Sequence, residues 1–287
     1  MKKLLVVIKR HAVAAYYIGV FAISWGAALV MFGPGAFLGG TQVSVLDASP
    51  LQFVAFLAGP AIAGIGMVAL VQGRAGLRDL RSRLLTWRVG IRWYMVALLT
   101  APLLSIATLF ALSQVSPAFL PRILTVSDKI GLLVIAFAVG IVVPLFEETG
   151  WTGFAIPQLR TRYGILTTGL IAGLLWGAWH LPLFAGSAAS AQAIPAPVYL
   201  AVLLFSWLLP YRVLMVWVYD HTKSLLVMML MHLSIDVGVV LVPSSGSAAV
   251  AATYDLVLGA ALWAVVAWVT LGGRVPVDRR SHQVLPA

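Results

Sequence analysis

About eight apolar runs, each near the roughly 20 residues that a helix needs to cross a bilayer, account for most of this chain. They lie near residues 12–33, 51–72, 91–115, 130–158, 164–184, 196–219, 223–242 and 250–271. No water-soluble core can hide that much apolar surface. With 61% hydrophobic and only 10% charged residues among 287, the chain falls far below the roughly 25% charged content of soluble domains. The runs predict an all-α polytopic membrane protein, a bundle of about eight transmembrane helices in which residues 1–287 form a single transmembrane domain. No linker separates a second domain, and no internal repeat supports an inverted-repeat transporter.

The formal charge of +10 and the pI near 10.3 do not point to nucleic acid, because the basic residues sit between apolar runs rather than along a soluble face. Alternating the connecting segments puts every one of the 19 basic residues except Arg122 and Lys129 on one side. Arg212 and Lys223 are counted with that basic side. The positive-inside rule then makes both termini cytoplasmic, in a bacterial inner membrane whose lipid is the chain's surroundings. The basic start, Lys2, Lys3, Lys9 and Arg10, precedes an apolar stretch longer than a signal-peptide core and predicts an uncleaved first helix. The arginine-rich loop 73–90 reads as a solvated charge run without chemistry, and segments 34–50, 185–195 and 243–250 as outer loops. With no cysteine, a disulfide, a thiolate nucleophile and a Cys-ligated metal are excluded, so any metal needs His and carboxylate ligands.

The chain's two glutamates are adjacent, Glu147 and Glu148, and they follow the apolar stretch 130–146. A carboxylate inside a spanning helix costs roughly 2.5 to 3.5 kcal/mol on insertion scales, so such residues face a bundle interior or a wet cavity. The stretch through Leu159 stays apolar and adds no further charge, which argues against a pair resting in interfacial water. His180 stands among Trp176, Trp179 and leucines. If residues 147–159 and 164–180 form a helical hairpin turning at 160–164, Glu148 and His180 sit at the same height, about 24 Å from the turn. That turn is expected in water because it carries Arg160 and Arg162. His232 and Asp236 are four residues apart, on one helix face, with His232 about 14 Å beyond Lys223. His11, His221 and His282 flank spans or lie in the tail and are left as surface residues.

Three helices thus aim acid and imidazole groups into one bundle interior, the inventory for activating water. A carboxylate can take the proton while imidazoles orient the water, donate to an oxyanion or coordinate a metal. Adjacent helix positions point about 100° apart, so only one glutamate need face the reacting water.

The segment Glu147, Glu148, Thr149, Gly150, Trp151, Thr152, with the downstream Trp176 to His180 and His232 to Asp236, resembles the CPBP family of intramembrane CAAX proteases and bacteriocin-processing proteins, also called Abi proteins. The resemblance covers roughly residues 130–245, the family's catalytic core. It implies an endopeptidase acting on a membrane-associated peptide or protein. Glu147 would activate the water with Glu148 in support, His180 and His232 would hold the water, a metal or the oxyanion, and Asp236 would assist. The family's mechanism is argued both with and without metal, so zinc on Glu147, His180 and His232 is one implication and metal-free glutamate catalysis the other. One departure stands out, since the arginine usual in the first motif is Thr152 here. Its loss weakens catalysis or requires another group to substitute, which keeps open a bacteriocin-immunity or binding protein on the same scaffold. A proton-coupled transporter relaying through Glu147, His180 and His232 is a further alternative. Substrate and oligomeric state are not written in the sequence.

Overall fold

A computed structural model describes residues 2–41, 49–190 and 194–272. After a short basic helix, Lys2–Arg10, come α1 (Ala12–Phe32), α2 (Pro50–Leu84), α3 (Ile91–Ser113), α4 (Lys129–Arg160), α5 (Ile165–Trp179), α6 (Leu181–Ser190), α7 (Ala196–Thr222), α8 (Leu225–Val237) and α9 (Ala248–Leu271). All eight apolar runs are helical, and the protein is an all-α integral membrane protein. Among the described residues six helices are long and apolar enough to span, or seven if α5 and α6, bent by 63° at His180, count as one crossing. The remaining run yields the 13-residue α8, which is too short for a full crossing. Large apolar side chains such as Ile18, Val30, Ile62, Phe110, Ile130 and Trp268 point outward. In water they would form an aggregating surface; in a bilayer they face acyl chains.

Lipid tails are as apolar as leucine, so helices in a membrane associate through close packing of small residues rather than through hydrophobic exclusion. Where α2 crosses α4, Gly64 meets Gly150, and a Cβ on Gly150 would stand 2.2 Å from the Pro60 carbonyl oxygen. Where α5 crosses α7, a Cβ on Gly169 would stand 2.5 Å from the Val213 Cα. The short α8 packs between α4 and α3, which buries Met228, Met231 and His232. These crossings hold α4, α5, α7 and α8 around one interior.

Several expectations change. The segment 73–90 is not simply a loop: α2 runs on to Leu84 after a kink at Gly73, whose φ of 65° and ψ of −152° lie where only glycine rests without strain. Residues 185–190 belong to α6 rather than to an outer loop. Arg160 is buried, because Asp220 of α7 accepts from its Nε at 3.0 and 3.1 Å. Arg212 is not in the basic inner layer but inside α7 with no solvent exposure, since only the bundle interior offers it a carboxylate. Residues 42–48 and 191–193 of the expected outer loops, with Arg274, Arg279, Arg280 and His282, lie outside the described residues.

Candidate active site

The two glutamates of α4, one helical step apart, face different neighbours. Glu147 Oε2 accepts from the indole Nε1 of Trp151, one turn along the same helix, at 3.0 Å and from that of Trp176 on α5 at 2.7 Å. Among the described residues no hydrogen bond engages its Oε1. Glu148 meets a guanidinium, an imidazole and a hydroxyl instead. Nη1 of Arg212 donates to its Oε1 at 2.8 Å and its Oε2 at 3.1 Å, His232 Nδ1 lies 2.8 Å from Oε1, and the Thr152 hydroxyl donates to Oε2. Glu148, Thr152 and Arg212 show no exposure and Glu147 and His232 only 1%. Charges so deep persist only when paired, so the Arg212 and Glu148 pair fixes where the polar interior lies.

Trp176 is the hub of the cluster. Its ring stands edge-on to His180 and His232, with centroids 5.3 and 5.4 Å away, and beneath the guanidinium of Arg212, whose Cζ is 4.1 Å from the ring centre. One indole thereby gathers groups from α4, α5, α7 and α8.

His180 occupies the break between α5 and α6. Its Nδ1 is 2.8 Å from the Trp176 carbonyl oxygen, which can only accept, so Nδ1 carries the proton and Nε2 is left for other partners. Phe184 stacks on its ring at 5.2 Å. His232 is arranged alike: Nδ1 faces a carboxylate already paired with arginine, and Nε2 is 3.7 Å from Asp236 Oδ1. His180 is part-buried and the Asp236 side chain is 19% exposed, so the approach to the cluster lies on their side.

Of the five residues named from the sequence, Glu147, His180 and His232 contact Trp176 directly, and Glu148 and Asp236 join the cluster through His232. Among the described residues, no group of three or more His, Asp or Glu side chains stands close enough to hold a metal ion. Glu147, His180 and His232 do not form a ligand set in this arrangement. Two surface cavities, of about 290 Å³ beside Arg92, Trp93 and His221 and of about 510 Å³ beside Phe21, Trp25 and Phe37, are lined by other residues.

Sequence reasoning missed Arg212 and Arg83. Arg212 is the one charge in the run 196–219, a signal as plain as that of the glutamates. Arg83, from the C-terminal end of α2, donates to the carbonyl oxygens of Thr152 at 3.4 Å and Gly153 at 2.8 Å and to the Tyr219 hydroxyl at 2.9 Å. It braces the turn that follows the glutamate pair, and no local sequence pattern announces that role.

Residues 129–238 match the family model described as type II CAAX prenyl endopeptidase Rce1-like. A curated relative, CAAX prenyl protease 2 of Methanococcus maripaludis, is 27% identical over 93 residues, which cover 32% of this chain and 34% of that protein. The chain thus matches about a third of the length of that relative.

Proposed function

We propose that this chain, whose residues 129–238 match the type II CAAX prenyl endopeptidase Rce1-like model, is an intramembrane protease that hydrolyses a peptide bond of a membrane-associated protein or peptide with water activated by Glu147. The unequal surroundings of the two glutamates carry this reading. Glu148 is occupied by a guanidinium, an imidazole and a hydroxyl. Glu147 is held through one oxygen by two indole N–H groups and keeps the other to receive a proton.

In the proposed reaction Glu147 Oε1 takes a proton from water as the water oxygen bonds to the scissile carbonyl carbon. His232, set between the carboxylates of Glu148 and Asp236 and carrying a proton on each nitrogen, donates from Nε2 to the oxyanion, while His180, whose proton is on Nδ1, accepts the water's second hydrogen at Nε2 and orients it. Glu147 then passes its proton to the amide nitrogen as the C–N bond breaks. A general base contributes about 10²- to 10⁴-fold and an oxyanion donor about 10²- to 10³-fold, enough for slow proteolysis in combination. Asp236, beside His232 Nε2, steadies that ring. The chain acts in a bacterial inner membrane with its termini on the cytoplasmic side, as the basic residues indicate.

The test uses the full chain in lipid vesicles with two fluorescence-quenched peptides, one bearing a lipidated cysteine near its C-terminus and one unmodified and apolar. Cleavage of either, reduced at least 100-fold by Glu147→Ala and His180→Ala, is the expected result. Full cleavage by Glu147→Ala, peptide binding without any cleavage, or proton flux into the vesicles would each defeat the assignment. Chelation followed by zinc addition, in the same assay, decides the metal requirement.

A further inference from the structure

Arg212 belongs to α7, outside the three motif segments, yet it makes the only ion pair to Glu148 by a non-titrating cation among the described residues. The guanidinium is wholly buried, stands over the Trp176 ring with its Cζ 4.1 Å from the ring centre, and donates from Nη1 to both carboxylate oxygens. Thr152, where the first motif leads one to expect arginine, sits one turn after Glu148 and aims its hydroxyl at the same carboxylate. Two positions on different helices thus converge on one anion, one with the charge and the other with a hydroxyl. We infer that Arg212 stands in for the motif arginine: it is a positioning residue that keeps Glu148 ionised, so that Glu148 holds Nδ1–H of His232 and presents His232 Nε2 to the reacting centre.

The physical case rests on charge and geometry. A carboxylate with no exposure and without a full positive partner takes up a proton. A protonated Glu148 would offer His232 a poorer acceptor, and the ring would lose the bond that orients it. Lysine could keep the charge but not the delocalised guanidinium over Trp176 or the planar geometry that suits a carboxylate. Thr152 is fully buried and bonded to Glu148, so a second guanidinium at that position would have to displace this contact and add an unpaired buried charge.

The inference rests on the proposed protease reading for its catalytic consequence but not for its central observable. Because Glu147 and Glu148 are the only glutamates, carboxyl-labelled glutamate in a Glu147→Gln background isolates the Glu148 infrared band in the full chain in lipid vesicles. Three results are expected. Glu148 is ionised at neutral pH when Arg212 is present, protonated in Arg212→Met, and ionised again in Arg212→Met combined with Thr152→Arg. In the otherwise native chain, Arg212→Met lowers kcat for the quenched peptides at least 100-fold with little change in KM. Thr152→Arg alone also lowers kcat, and the double variant regains at least tenfold over Arg212→Met. An ionised Glu148 in Arg212→Met, or a double variant no better than the single ones, overturns the inference. Should Arg212→Met fail to fold, a folded double variant with ionised Glu148 supports the exchange, and an unfolded one refutes it. If no peptide is cleaved by the native chain, the protease reading fails while the infrared result still decides the role of Arg212.

Discussion

A buried carboxylate tied to a buried guanidinium and a buried carboxylate tied to two indoles answer differently to removal. Replacing Glu148 strands the charge of Arg212 inside the bundle, and uncompensated buried charge costs about 3 to 5 kcal/mol. Replacing Glu147 by glutamine leaves an acceptor oxygen for Trp151 and Trp176 and strands nothing. We expect Glu148→Ala to lower the thermal midpoint in lipid nanodiscs by many degrees, while Glu147→Gln stays near the native value and loses peptide cleavage. Equal destabilisation by the two would show that the neighbourhoods are not distinct in this way. The sequence announced the carboxylates and imidazoles because each is a costly residue at membrane depth. Their partition was not legible: it depends on which neighbour each helix face meets, and Trp176 reads in sequence as one apolar residue among many.

At the scale of elements, two π-turns recur with the same logic. Trp151–Ala155 is followed by Pro157, and Leu204–Leu208 by Pro210. In each, the wider turn and the missing proline N–H release carbonyls that a regular helix would bond. Arg83 takes those of Thr152 and Gly153 in the first, and the Trp263 indole takes that of Phe205, at 2.7 Å, in the second. The first turn directly follows the glutamates and carries Thr152, so Arg83 braces the part of α4 that sets the site. Arg83→Met leaves two carbonyls without a donor and should cost about 1 to 3 kcal/mol for each that stays dry. Pro157→Ala restores an N–H that can reach the Gly153 carbonyl, so its stabilising effect should be larger in the Arg83→Met background than in the native chain. Thermal midpoints of the four proteins measure the coupling, and an equal effect in both backgrounds would separate Arg83 from the turn. The apolar runs located the long helices, but they could not show the extension of α2 beyond Gly73, the break at His180, the π-turns or the reach of Arg83 from that extension. Those follow from a proline and a distant donor acting together, a pairing that only the folded chain reveals.

For the whole molecule, moving Arg212 from the inner layer to the bundle core removes one residue from the charge partition without upsetting it. Lys9, Arg10, the arginines from Arg74 to Arg92, Arg162 and Lys223 still fall on one side of the alternation, and Arg122 and Lys129 on the other. The ambiguity arose because a tally of basic residues treats each as a surface charge, whereas a guanidinium with a carboxylate partner can stay at depth. The chain contains no cysteine, so single-cysteine variants report topology without background. In oriented membranes a cysteine at Arg162 or Lys223 should react with an impermeant maleimide only from the cytoplasmic face, and one at Arg122 only from the opposite face. A cysteine at Arg212 should react from neither until the protein is unfolded, whereas the inner-layer reading requires it to label from the cytoplasm. Labelling of positions 122 and 162 from the same side would require a different number of crossings between them and would dismantle the arrangement in which α4, α5, α7 and α8 share one interior.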